Sequence, residues 1–161
     1  MLSSTQKLYL SLLLSLVGVF IIDQNIKSIF LDGFRFYSDY IDLILVFNKG
    51  VAFSMFAFLE EWLKWIQLLL ILGVLIYILR LKEACYAIPV GLLVGSGLSN
   101  VYDRFIHEGV VDYVYYHHWF DFAVFNFADV MIDIAVIWLL ILNFKPKFCE
   151  EKEKESDISE S

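Results

Sequence analysis

Apolar residues fall in four long runs bounded by charge: Leu8 to Ile22, Trp62 to Leu79, Ala84 to Val101 and Phe127 to Phe144. A bilayer core about 30 Å thick takes about 20 helical residues to cross, so each run predicts a membrane-spanning helix. Between the first and second runs, Tyr40-Ile41-Asp42-Leu43-Ile44-Leu45-Val46-Phe47 is rich in β-branched and aromatic residues and predicts strand, hence a small sheet at the membrane surface. Between the third and fourth, Tyr113, Tyr115, Tyr116, Trp119, Phe120 and Phe122 are the aromatics that settle at headgroup level, which puts that segment on or in the interface.

Composition agrees, with 60% hydrophobic and 19% charged residues and a mean hydropathy of +0.69, outside the range of soluble domains. The first run follows Lys7 as a secretory signal would, but Asp23, Gln24 and Lys27 stand where a small-x-small cleavage site would be, so the run reads as a retained span. The connection Arg80-Leu81-Lys82-Glu83 is short and basic, and Lys145, Lys147, Lys152 and Lys154 follow the last run. With Lys7 these put both termini and this turn in the cytoplasm, although Lys27, Arg35, Lys49, Lys64 and Arg104 fall on the other side. The expected fold is an all-α membrane protein of four transmembrane helices with a small extracytoplasmic β-sheet and a surface segment. It comprises a membrane unit over residues 1–147 and a disordered acidic cytoplasmic tail over 148–161.

The formal charge of -7 owes much to Glu150, Glu151, Glu153, Glu155, Asp157 and Glu160 in that tail, and nothing recommends nucleic acid as a partner. Cys85 and Cys149 cannot make a framework of several bridges, and neither has a second Cys at ligand spacing, so both read as free thiols.

Ionisable groups inside a span are costly and mark functional positions. Asp23 and Lys27 are i and i+4 at the outer end of the first run; Asn100 and Arg104 have the same spacing at the end of the third, and Asn126 and Asp129 are i and i+3 at the start of the fourth. All lie at one depth, and Asp112 adds an acid at the same level. Each alone could be an ordinary helix end, capped or snorkelling. A plain span needs no Asn, Asp and Arg together on one stripe.

Two neighbouring carboxylates do not both ionise cheaply, so one stays protonated and the other charged, which provides a general acid and a general base near neutral pH. That pair hydrolyses a peptide bond through an activated water, without a metal or covalent intermediate. His107, His117 and His118 with Glu108 lack the second His of a zincin helix, and no metal or other cofactor is expected. Ser96 or Ser99 with Lys27 would make a Ser-Lys pair, but small residues in a span more often serve close helix packing.

Four blocks taken together resemble the lipoprotein signal peptidase (type II signal peptidase) family of bacteria over nearly the whole chain up to the acidic tail. Asp23-Gln24-Asn25-Ile26-Lys27 is similar to its Asp-Gln-x-x-Lys, and Asn48-Lys49-Gly50-Val51-Ala52-Phe53 to its Asn-x-Gly-x-Ala-Phe. Gly95 to Asn100 with Asp103 and Arg104, continued by Gly109-Val110-Val111-Asp112-Tyr113, resembles Gly-Gly-x-x-Gly-Asn-x-x-Asp-Arg and Gly-x-Val-x-Asp-Phe. Phe125-Asn126-Phe127-Ala128-Asp129-Val130-Met131-Ile132 resembles Phe-Asn-x-Ala-Asp-x-x-Ile.

The resemblance implies an aspartyl endopeptidase of the inner membrane, with its site near the outer face. It would cut diacylglyceryl-modified prolipoproteins just before the lipid-modified Cys. Asp112 and Asp129 would be catalytic, while Asp23, Lys27, Asn48, Gly50, Asn100, Asp103, Arg104 and Asn126 would hold substrate or the pair. Membrane lipids and the inhibitor globomycin are the other implied partners, and a surface helix would precede the fourth span. Ser96 and Ser99 stand where the family usually has Gly, so the third helix would approach less closely and two hydroxyls would join the site lining. Tyr113 replaces Phe, and Asp133 is an extra acid one turn beyond Asp129. The other classes of function, a small transporter subunit with a proton or ion path and a structural scaffold, fit less well, because a path needs charges at mid-bilayer and a scaffold needs none of these blocks.

Overall fold

The computed structural model describes residues 3–50, 60–145 and 149. Its elements are α1 (Ser4–Leu31), β1 (Ile41–Asn48), α2 (Glu60–Leu81), one 3-10 turn (Ala84–Tyr86), α3 (Ala87–Ile106), β2 (Val110–Tyr116) and α4 (Phe127–Phe144). All four α-helices are long and apolar enough to cross a membrane.

Two helices outrun their apolar runs, and the reason is charge compensation. α1 continues past Ile22 because Asp23 and Lys27 form an i,i+4 ion pair at 2.6 Å, so the charges that bound the run do not end the helix. α1 stops at Leu31, followed by Gly33 in the left-handed region at φ 104°. α3 likewise runs on to Ile106, because Asp103 and Arg104 are buried and partnered.

α3 is the central helix, packed against α1, α2 and α4. Its approach to α1 depends on two glycines. A Cβ on Gly91 would lie 2.7 Å from the Leu12 carbonyl oxygen, and one on Gly95 would lie 2.9 Å from the Leu16 Cα, so only hydrogen fits at this crossing. Leu8, Leu12, Ile78, Ala87, Val90 and Val94 form the buried core beside the α2–α3 turn. The outward faces are as apolar as the core: Leu13, Leu14, Leu69 and Leu70 are 58–69% exposed, as lipid-facing side chains are.

At the opposite end β1 and β2 pair antiparallel, with Ile41 opposite Tyr116 and Asn48 opposite Val110. The register is irregular between Leu43 and Val46, where β1 fits one extra residue against β2, and beyond it Val46 faces Asp112. The strand expected near residues 40–47 is therefore present. Its partner comes from the aromatic segment, in which the described residues form no surface helix. The β-branched stretch Val110–Tyr116 is instead drawn into the sheet, and Phe125 bridges back to Val114.

Cys85 and Cys149 are not free thiols. They form a disulfide with their Cα atoms 5.5 Å apart, which places Cys149 beside the turn that starts α3, a proximity invisible at a separation of 64 residues. Apart from Cys149, the expected disordered tail lies outside the described residues.

Gly95→Leu should therefore push α3 off α1 and lower stability at or above the upper end of the roughly 1–3 kcal/mol usual for overpacking. Gly18→Ala, where an added Cβ meets nothing within 4 Å, should be neutral or slightly stabilising. Thermal unfolding of the two variants in detergent compares them directly.

Candidate active site

The site grows from one buried cation. Lys27 Nζ on α1, 1% exposed, lies 2.6 Å from Asp23 Oδ2 and 2.7 Å from Asp103 Oδ2, and donates to Asn100 Oδ1 at 2.9 Å. A buried ammonium is tolerable only when its donors are matched in this way. Two carboxylates on one cation leave an excess negative charge, which neutral donors offset. Ser99 Oγ donates to Asp23 Oδ2 at 2.6 Å and Gln24 Nε2 donates to Asp103 Oδ1 at 2.8 Å.

Each of these two acids also accepts a backbone N–H beside one of the predicted catalytic acids. Asp103 Oδ2 accepts from Val111 N at 3.1 Å, next to Asp112. Asp23 Oδ1 accepts from Ala128 N at 2.9 Å, next to Asp129. The Lys27 cluster thus ties the second residue of β2, Val111, and the first turn of α4 to α1 and α3.

Asn126 completes the pair. As the N-cap of α4 it accepts from Asp129 N at 2.9 Å, while its own backbone N donates to Asp129 Oδ2 at 3.1 Å, a reciprocal capping box. Its side-chain Nδ2 donates to Asp112 Oδ1 at 2.7 Å. The remaining carboxylate oxygens take Asn48 Nδ2 at 3.0 Å on Asp112 and Asn100 Nδ2 at 2.9 Å on Asp129. One residue therefore holds both acids, and each acid has a neutral amide on either oxygen. Burial first, then the Asp129 charge, push the Asp112 carboxyl up from 3.8 to about 7.

A cavity of about 480 Å³ opens on this pair. Asn48, Gly50, Asn100, Arg104, Asp112 and Asp129 supply its polar groups, and Val110, Phe122, Phe125, Val130 and Ile132 make much of its wall apolar. Arg104 braces the rim: Nε donates to Gln67 Oε1 at 3.0 Å, one terminal nitrogen reaches the Lys49 carbonyl at 3.4 Å, and the other reaches the Gly50 carbonyl. Asp133 lines the same cavity, one turn from Asp129.

All ten site residues expected from sequence lie in this one network. The expectation that Ser96 and Ser99 line the site is overturned. Both are 0% exposed, packed behind the cavity, and the close α1–α3 contact at Gly91 and Gly95 is kept. Gln67 was missed, although a lone amide within the apolar second run carries the same signal as Asn100. Tyr113 looked like a mild change, yet its hydroxyl accepts from Phe127 N at 2.9 Å. The histidines stand apart from the acids: His117 pairs with Asp42 at 3.2 Å, His118 packs on Tyr40 and His107 on Phe47. Among the described residues the one cluster with metal-ligand spacing is Glu83, Cys85 and Cys149, at the other end of the bundle, where the two sulfurs are bonded to each other.

Comparison with known proteins gives a consistent result. The sequence pattern of the family described as signal peptidase (SPase) II matches residues 15–145. A lipoprotein signal peptidase of Sulfurimonas denitrificans is 70% identical over 139 residues, covering 86% of this chain and 91% of the relative. One from Helicobacter pylori is 54% identical over 160 residues, covering 96% and 99%. A bacterial membrane enzyme solved by the in meso method at 2.3 Å superposes with a TM-score of 0.74 at 23% identity, over 84% of this chain and 88% of that one, which shows a shared fold.

The raised Asp112 value has a consequence for stability. With the folded value near 7 and the ordinary value at 3.8, the group's contribution is fully present below about pH 4 and is lost as pH rises through about 7. Wild type should lose thermal stability relative to Asp112→Asn between pH 4 and 8. A constant difference in melting temperature across that range would contradict the assignment.

Proposed function

The chain belongs to the signal peptidase II family, and on that premise we propose that Asp112 and Asp129 are the catalytic pair of its aspartic-type endopeptidase activity. As a member of that family it is a multi-pass membrane protease that removes the signal peptide from diacylglyceryl-modified prolipoproteins, cutting just before the lipid-modified Cys. The observation that carries the residue assignment is Asn126, which bonds both acids at the mouth of a partly apolar cavity.

Near neutral pH the pair holds one proton, and the environment of Asp112 keeps it there. Asp129 takes a proton from a water between the acids as that water attacks the scissile carbonyl, and Asp112 protonates the developing oxyanion. Return of these protons, with one delivered to the leaving nitrogen, frees the new amino terminus on the lipid-modified Cys. Asn48, Asn100 and Asn126 hold the carboxylates in register, and Asp23, Lys27 and Asp103 anchor the backbone that carries them. Gly50, whose carbonyl accepts from Arg104 and whose N–H donates to Asn48 Oδ1, is held at the rim where an extended substrate would enter. The apolar wall suits both signal-peptide side chains and the cyclic lipopeptide globomycin, and membrane lipids cover the exposed helix faces.

The site faces outward, with both termini and the α2–α3 turn in the cytoplasm. Two of the cations that weakened the charge bias, Lys27 and Arg104, are buried in the site, so they do not act as topogenic surface charge. Lys7, Arg80, Lys82 and Lys145 remain at the turn end. In this reading residues 1–147 form the membrane peptidase unit, and the acidic segment from 148 lies on the cytoplasmic side.

Purified protein in detergent should shorten a diacylglyceryl-modified prolipoprotein. Asp112→Asn and Asp129→Asn should each lower turnover by at least the roughly 10²–10⁴-fold of acid–base catalysis, with protein level and substrate binding retained. Undiminished turnover in either variant would remove that residue from the pair. Asp133→Asn should at most shift the pH optimum, and a collapse there would mean the wrong α4 acid was chosen. EDTA should leave the rate unchanged and globomycin should suppress it; a zinc-restorable loss would reverse the mechanism.

A further inference from the structure

A helix start leaves its first N–H groups without partners inside the helix. In α4, three different elements supply the acceptors: Phe127 N donates to Tyr113 Oη at 2.9 Å, Ala128 N to Asp23 Oδ1 at 2.9 Å and Asp129 N to Asn126 Oδ1 at 2.9 Å. Two hydroxyls stand behind these bonds. Tyr113 is held flat against Phe30, with ring centroids 4.2 Å apart and planes 9° from parallel, so its oxygen sits on a fixed lever. Burial pushes its phenol above the ordinary value of 10, so it meets Phe127 as a neutral hydroxyl. Ser99 donates to Asp23 Oδ2 at 2.6 Å and accepts from Gln24 Nε2 at 2.8 Å. With Lys27 it occupies Oδ2 and leaves Oδ1 of Asp23 for Ala128.

We propose that the hydroxyls of Tyr113 and Ser99 are positioning groups for Asp129, Tyr113 acting directly on the first N–H of α4 and Ser99 acting through Asp23 on the second. The inference rests on the reading of Asp112 and Asp129 as the catalytic pair. Neither hydroxyl is among the groups that line the cavity, so both act from behind it. Loss of one anchor lets the first turn of α4 relax by a fraction of an ångström. Catalysis feels that displacement more than binding does, because reactivity falls steeply with misalignment of the reacting groups.

Tyr113→Phe removes one oxygen and keeps the stacked ring, and Ser99→Ala removes one hydroxyl. Ser96→Ala is the control, since Ser96 Oγ is buried on the same helix with no hydrogen-bond partner among the described residues. Steady-state cleavage of diacylglyceryl-modified prolipoprotein should show kcat lower by about three- to tenfold in the first two variants at a KM within about twofold of wild type. Ser96→Ala should match wild type. Unchanged kcat in Tyr113→Phe, or a fall no larger than the loss of folded protein, overturns the proposal. So does a rise in KM at constant kcat. If Ser99→Ala does not yield folded protein, Tyr113→Phe alone decides. Asp112→Asn is assayed alongside: turnover retained there is a failure of the catalytic assignment, whereas unchanged kcat in Tyr113→Phe beside an inactive Asp112→Asn is a failure of this inference alone.

Discussion

The structure depends on a lysine ammonium placed between two carboxylates inside a membrane protein. Lys27 with Asp23 and Asp103 is an arrangement that low dielectric makes strong when complete and very costly when broken. Its stabilising value is secondary to its geometry. Each carboxylate has one oxygen on the cation, and each reaches a backbone N–H one residue from Asp112 or Asp129, the proposed catalytic pair. The backbone on either side of the aspartates is thus braced by three charges on α1 and α3, while Asn126 at the helix start bonds the two acids themselves. Removing Lys27 would leave two uncompensated acids and untie both strands of that support.

The molecule reverses the usual distribution of polarity. Polar and charged residues gather inside near the sheet end, and large apolar side chains cover the outside of every helix. Apolar burial therefore contributes less here than in a soluble domain, since lipid solvates leucine as well as a core does. Close backbone contact at Gly91 and Gly95, and satisfied hydrogen bonds around Lys27 and Asn126, supply the specificity instead. This is also why the cavity can be apolar over much of its wall and still hold two acids: the donors they need come from three amides, Asn48 and Asn100 in its lining and Asn126 behind it.

Much of this was legible in the sequence, because the membrane makes polar residues informative. An ionisable or amide residue in an apolar run has few reasons to be there, so Asp23, Lys27, Asn100, Arg104, Asn126 and Asp129 stood out, and the motif resemblance added Asp103 and singled out the pair. What was not legible was pairing across distance. Helix ends were placed at charges, and α1 and α3 run past theirs because those charges neutralise one another. Cys85 and Cys149 looked unrelated because no local pattern places residue 149 beside the α3 turn. Ser99 looked like an addition to the site lining and Tyr113 like a mild replacement of Phe, because nothing local says that one hydroxyl reaches Asp23 and the other the start of α4. Gln67 carried a usable signal but belonged to no motif.

The bond from Asp23 to Ala128 spans 105 residues, and that span has a consequence for biogenesis. During synthesis α1 enters the bilayer long before α3 or α4 exists, so Asp23 and Lys27 first meet hydrocarbon without Asp103, Asn100 or the amide of Ala128. Their i,i+4 spacing lets them travel as a self-neutralised unit, with a single helix carrying both charges. The bridge that later organises the site is thus available within α1 before any other helix exists. Because Asp129 lies on α4, after the other three spans in chain order, the proposed pair is complete only once α4 has been made.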